Sequence, residues 1–382
     1  MTSPEAPRRR WIWPAIAIGL AALFLTSIAR LYQPEYGFTA MIRFAAPGTN
    51  EISALQGIPH YRHHPTLSYD GQFYAQLALD PLLRDQAIDR ALDQPAYRAR
   101  RILFSWTAWA LGLGRPAWIL YAYALQNVLF WLALAALMTR WLPPTTPRGL
   151  ALWVACLFSH GLLTSVHMAL LDGPSMFLIA LAIAASERGR VFTAAAIVGI
   201  AGLGRETNFL ASLGLPKPAR RWPWLELAAA LVLAALPLLL WQDYLRSIYR
   251  STSASGHPQM AMPMLVYLEV LRDTVKAVSR GGGLLLALKL GVVVCLGVQG
   301  AYLIHRRHYD SPWWRIAVAY AILMLTVHGV VWEGYPGAVT RVTLPLAFGF
   351  NVLLTRETGR RFWPWFTFGN LHLLPAALML RL

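Results

Sequence analysis

Long apolar runs separated by short, arginine-rich breaks fill most of this 382-residue chain. About 20 apolar residues at 1.5 Å each carry a helix across a hydrocarbon core of about 30 Å. By that measure the runs at roughly 12–30, 116–139, 149–170, 173–187 and 224–244 are predicted spans. Later runs end at "HRRH" (His305–His308), at Trp332-Glu333 and at "RETGRR" (Arg356–Arg361), and a last one starts at "FWPWF" (Phe362–Phe366) and runs to Leu382. The stretch "VFTAAAIVGIAGLGRETNFLASLGLPKPARR" (Val191–Arg221) lies between basic clusters, so both of its ends belong on one side of the membrane. It is predicted to be a hairpin of two short helices with Gly204-Arg205-Glu206-Thr207 at the tip. The pattern predicts an all-α polytopic membrane protein with about 11 transmembrane helices (range 9–12), folded as one membrane domain over residues 1–382.

Two segments depart from that pattern. Residues 31–115 mix acidic, basic and aromatic residues and read as a long external loop. Within it, "YRARRILFSWTAWALGLG" (Tyr97–Gly114) predicts an amphipathic helix lying at the outer interface. A short span there would put every later basic cluster on the outer face, against the charge rule. Residues 245–280 form the second external segment.

Composition sharpens this picture. The chain is 57% hydrophobic and 14% charged, too apolar to cover itself with a polar shell. Its formal charge of +16 would suggest nucleic acid in a soluble chain, but here the basic residues punctuate apolar runs as cytoplasmic anchors. Arg8-Arg9-Arg10 precede a run too long for a signal peptide, which predicts a retained first span entering from the cytoplasm. Cys156 and Cys295 lie inside apolar runs and read as two buried thiols. No phosphate loop, dinucleotide fingerprint, HExxH or GxSxG is present. "HYRHH" (His60–His64) lacks metal-ligand spacing and reads as loop histidines, and His160 and His167 read as packing groups on one helix face.

This topology gathers Asp70, Asp172, Arg205, Glu206, Glu333 and Arg341 on one side of the membrane. Ionisable groups at membrane depth face cavities or pair with one another. Structural readings stand beside functional ones. Asp70 can cap a short helix that ends at Asp80-Pro81, and Asp172 before Gly173-Pro174 reads foremost as a cap. Arg205 with Glu206, and Glu333 with Arg341, can each form a local ion pair.

The stretches "YDGQFYAQLALDP" (Tyr69–Pro81), Tyr97–Gly114, "LLDGPSMFLIALAIAASERGR" (Leu170–Arg190) and "GLGRETNFL" (Gly202–Leu210) resemble the GT-C class of integral-membrane glycosyltransferases, in particular bacterial members related to the mannosyltransferases of lipid-anchor assembly. The resemblance covers roughly the first 215 residues. It implies sugar transfer from a polyprenyl-phosphate carrier to a hydroxyl of a glycan, lipid or protein acceptor, at the outer face of a bacterial cytoplasmic membrane. In that class an acidic residue of the first external loop acts as catalytic base, which here falls on Asp70. Some members carry two adjacent acidic residues there, whereas Tyr69 and Gly71 flank this one. Guanidinium groups suit the leaving phosphate, so Arg205 and Arg341, then Arg100 and Arg101, are the candidate phosphate ligands. Tyr69, Gln72 and Tyr74, with Glu206 and Glu333, complete the expected substrate-binding set. No metal site is expected and a divalent metal has no support in the sequence. Membrane lipids are expected partners and nucleic acid is not. The competing readings are a transporter or flippase for lipid-linked sugars and a noncatalytic assembly subunit.

Overall fold

The computed structural model describes residues 9–48, 51–216, 223–249 and 261–380. Arg8, the side chains of Arg9 and Arg10, most of "PKPARR" and most of "STSASGHPQMAMP" fall outside the described residues. The fold is that of an all-α polytopic membrane protein. Among the described residues, four helices are long and apolar enough to cross a bilayer: Trp11–Ala29, Pro116–Met138, Pro223–Ile248 and Leu284–His305. Their outer surfaces remain apolar. Leu231, Val232, Leu236, Leu239 and Leu240 of Pro223–Ile248 are exposed, as expected of a face solvated by lipid.

The other apolar runs are broken rather than continuous. The run expected at 149–170 is two helices, Pro147–Leu157 and His160–His167, bent by 47°. Ser159 takes an extended conformation at the break. Beyond it, Gly161 packs against the Thr340 carbonyl more closely than any side chain would permit. The run that ends at "RETGRR" is likewise split, into Val339–Val342 and Leu344–Leu354, with Pro345 in the first turn of the second piece. Val191–Gly204, Pro312–Thr326 and Leu344–Leu354 are short apolar helices.

The hairpin has the form its charge pattern predicts. Val191–Gly204 is α-helical, Arg205 is extended, and Glu206–Gly214 returns as a 3-10 helix. The tip meets Asp172 at the start of helix Asp172–Glu187, through an Arg205–Asp172 ion pair. The base returns to that helix's other end, where Ser186 donates to the Gly214 carbonyl. The two arms therefore run the same depth as one 16-residue helix.

The loop expected at 31–115 is folded. A parallel pairing of Phe44–Ala45 with Arg62–His63 supports helix Gly71–Leu79, which packs on Leu103–Leu111 and Pro116–Met138. Leu103–Leu111 has nine residues, about 14 Å at 1.5 Å per residue, too short to span. Its Trp106 donates to the Pro81 carbonyl, while Trp109 and Leu111 are exposed. Trp241 and Tyr244 near the end of Pro223–Ile248 donate to the carbonyls of Ala99 and Leu82, tying the loop to the bundle. The loop histidines have structural partners: His60 bonds Glu51, His63 bonds the Ala40 carbonyl and His64 bonds Thr66.

Among the described residues, the segment expected at 245–280 contains more helix than loop. Pro223–Ile248 runs into it, and Leu265–Ser279 packs along Leu284–His305, its Tyr267 donating to the Val293 carbonyl at 3.2 Å.

Candidate active site

Helix Gly71–Leu79 begins where the chain passes through a tight gap. A Cβ on Gly71 would lie 2.7 Å from the Ile42 carbonyl oxygen and 2.8 Å from that of Met168. Glycine lets this helix start wedge between the loop and the membrane helices. Asp70 occupies the capping position but its backbone is helical and its side chain makes no capping bond. The carboxylate instead accepts from Arg98 at 3.0 Å. Asp172 behaves the same way. It stands in the first turn of its helix, makes no capping bond, and is clamped between Arg205 and Arg341, the latter at 2.9 Å. Both capping expectations therefore give way to ion pairs. For Asp172 the cause is burial: a carboxylate that is 3% exposed needs a full counter-charge, which backbone N–H groups do not supply.

Three polar ladders surround one cavity of about 320 Å³. In the first, Arg98 bridges Asp70 and Asp93, the latter at 2.7 Å. In the second, Arg101 donates to Glu206 at 3.0 Å, to the Tyr97 hydroxyl at 2.6 Å and to the Tyr74 hydroxyl at 3.2 Å. In the third, Arg341 links Asp172 to the Tyr69 hydroxyl, which it reaches at 2.7 Å. Tyr69, Asp70, Tyr74, Arg101, Arg205 and Arg341 all line the cavity.

Spare donors distinguish the arginines. A guanidinium has five N–H groups. Arg98 donates to Asp70, to Tyr74 and twice to Asp93. Among the described residues Arg101 makes three such bonds and Arg341 two. Arg341 and Arg101 thus keep N–H groups for an anion in the cavity, while Arg98 is nearly saturated.

The same geometry sets the charge states in the loop. Burial works to raise the Asp70 pKa, but the charges of Arg98 and Arg341, the hydrogen bond from Arg98 and the charge of Arg101 outweigh it and hold the carboxyl below its ordinary value. Burial works to lower the Arg98 pKa, but its bond to Asp93 and the neighbouring Tyr74, Asp70 and Asp93 raise it above the ordinary value.

Several sequence-selected residues stand elsewhere. Arg100 is not among the residues lining the cavity; Arg98 and Arg101 take that place. Residues three apart share a face of the short helical turn at Pro95–Ala99, and Arg100 falls off it. Gln72 also faces away, its Oε1 accepting from the Ala45 N–H at 3.1 Å. Glu333 is exposed and outside the cavity, so the pairing of Glu333 with Arg341 is replaced by Arg341 with Asp172. Arg205 and Glu206 do not pair locally either; they join Asp172 and Arg101 respectively. Arg205 is extended (φ −164°, ψ 130°), which sends consecutive side chains in opposite directions. Sequence reasoning passed over Arg98, Asp93 and Tyr97; the signal available was the three-residue spacing of Arg98 and Arg101. Among the described residues no group of three His, Cys, Asp or Glu side chains is placed to hold a metal ion.

A bundle of broken helices capped by a folded loop, with the charged cavity between them, is a GT-C-like fold. A similar solved structure is that of ArnT from Cupriavidus metallidurans bound to undecaprenyl phosphate, with a TM-score of 0.51 and 14% sequence identity. The similarity covers 93% of this chain and 62% of the ArnT chain, so this protein spans less than two thirds of that neighbour's length. No family model and no curated protein sequence matches the chain.

Proposed function

We propose that this protein is a glycosyltransferase that moves a hexose from a polyprenyl-phosphate carrier to an acceptor hydroxyl, with Asp70 as general base. The observation carrying this reading is the placement of one partly exposed carboxylate, Asp70, in a cavity whose remaining walls present Arg101, Arg205 and Arg341. The structural neighbour was crystallised with undecaprenyl phosphate, a lipid whose single anionic headgroup matches such a cavity.

The acceptor oxygen attacks the anomeric carbon while the bond from that carbon to the phosphate oxygen breaks. Polyprenyl phosphate leaves, and Asp70 takes the hydroxyl proton. A single displacement inverts the anomeric centre. Arg341 and Arg101 meet the growing charge on the leaving phosphate, where preorganised donors act most strongly. Asp172 is the positioning residue: it orients Arg205 and Arg341 and offsets their charge before the anion arrives. Arg98 and Arg341 make Asp70 a reliable anion but a weak base. A phosphate that competes for those guanidinium groups returns basicity to Asp70 when the donor is in place.

The basic groups linked at the opposite end of the bundle support a cavity facing the periplasm of a bacterial cytoplasmic membrane. There Arg140 pairs with Glu187, Arg148 donates to the Gly359 carbonyl and Arg306 pairs with Glu357.

The test uses the purified chain in nanodiscs with synthetic undecaprenyl-phosphate hexoses, mannose first, and follows release of undecaprenyl phosphate. Asp70→Asn is expected to slow release by about 10²–10⁴-fold while undecaprenyl phosphate still binds. Unchanged release would remove Asp70 as base. A flippase or a scaffold would release no phosphate in either form.

A further inference from the structure

Helix Gly71–Leu79 has a second polar face. Asp70 and Tyr74, four residues apart, meet the arginine-rich cavity. Gln72 and Gln76, also four apart, line a separate cavity of about 240 Å³ on the helix's other side, together with Phe73, Glu51, Arg90 and Asp93. Each glutamine uses its Oε1 to hold the loop, Gln72 on the Ala45 N–H at 3.1 Å and Gln76 on the Ile52 N–H at 3.0 Å. Among the described residues this leaves each Nε2 amide as a donor without a protein partner.

The chemistry of the two cavities differs. The first presents four arginines and suits an anion. The second presents amide donors, an aromatic ring and two carboxylates, Glu51 and Asp93, each already neutralised by an arginine, against the lone Arg90. A phosphate finds no surplus of positive charge there. A neutral ring with hydroxyls to donate and accept, and an apolar face to lay on Phe73, matches the set.

A thin wall divides the two. Arg98 lies over the Phe73 ring at 4.7 Å, and its guanidinium binds Asp93 of the second cavity and Asp70 of the first. One side chain separates the proposed base from the second cavity. We propose that this second cavity is the acceptor subsite and that it takes a sugar ring, one hydroxyl of which is directed past Arg98 toward Asp70. The proposal rests on the glycosyl-transfer reading and adds the class of acceptor and its seat.

Saturation-transfer NMR on the full chain in nanodiscs, free of sugar-based detergent, tests this with methyl glycosides of glucose, mannose and galactose as probes. The wild-type chain is expected to show transfer to at least one glycoside. Gln72→Glu, which keeps the oxygen that holds the Ala45 N–H and removes the amide donor, is expected to weaken that binding about fivefold, the loss of one hydrogen bond, and Phe73→Leu to weaken it as well. Both variants should retain undecaprenyl phosphate binding and thermal stability, which shows that they fold. No transfer to any probe, or variants that bind glycosides like the wild type, overturns the proposal. Glycoside binding sensitive to Gln72 in a chain that fails to bind undecaprenyl phosphate would instead sink the donor reading and leave this cavity as a sugar site.

Discussion

Asp172 shows how a single side chain can conceal its role in sequence. Before Gly173-Pro174 it looks like a helix start, yet it is the counter-ion of two arginines contributed by the hairpin tip and by the segment that follows Gly337. Removing its charge leaves two buried guanidinium groups facing each other. Asp172→Asn is therefore expected to destabilise the chain by about 3–5 kcal/mol, read by thermal unfolding in detergent. Adding Arg205→Met should recover part of that loss, because one unpaired cation goes with it. Recovery of nothing would mean the two residues do not act through one another. Asp70 makes a different, pH-dependent prediction. Its native pKa is held below the ordinary 3.8, so the unfolded chain binds its proton first as pH falls. Its contribution to stability is complete above 3.8 and disappears as pH falls through the lowered native value. At donor concentrations far below saturation, where kcat/KM reports the donor-free protein, phosphate release should accordingly stay level from neutrality down to about pH 5 with respect to this group. An acid limb near pH 6 that Asp70→Asn abolishes would contradict that environment.

At the scale of elements, the site depends on close backbone approaches that only glycine permits. Gly71 sets the start of the loop helix against the carbonyls of Ile42 and Met168. Gly71→Val must push these apart, with a cost of about 1–3 kcal/mol and a displacement of Asp70 from Arg98. The expected result is lower thermal stability and slower phosphate release together, whereas a change at the exposed Gln86 should alter neither. The hairpin was legible because charge at both ends of an apolar run fixes which side each end occupies. The breaks at Ser159 and Thr343 were not, because their neighbours are as apolar as any span. What breaks them is the packing of Gly161 on Thr340, between segments some 180 residues apart.

For the whole molecule, sidedness is the property that every functional statement shares. Cys156 and Cys295 are free and buried, so the native chain offers a low background for thiol labelling. Gln86→Cys in the first loop and Arg360→Cys at the far end of the bundle replace exposed residues. A membrane-impermeant maleimide applied to intact spheroplasts is expected to label the first and to reach the second only after permeabilisation. The opposite pattern would turn the cavity toward the cytoplasm. The ArnT-like fold belongs to this scale as well: the overall arrangement is shared with a TM-score of 0.51 at 14% sequence identity.

The sequence by itself determined the all-α membrane class, the folded first loop, the hairpin at Arg205 and the presence of Asp70 beside arginines. Hydropathy and charge are properties of chain segments, and the bilayer acts on them segment by segment. Which arginines turn inward, that Asp172 joins them, and that Gln72 faces a second cavity were decided only by tertiary structure. Those outcomes depend on helix phase and on pairings between residues as far apart as 69 and 341, and a burial that forbids an unpaired charge selects among them only after the segments have met.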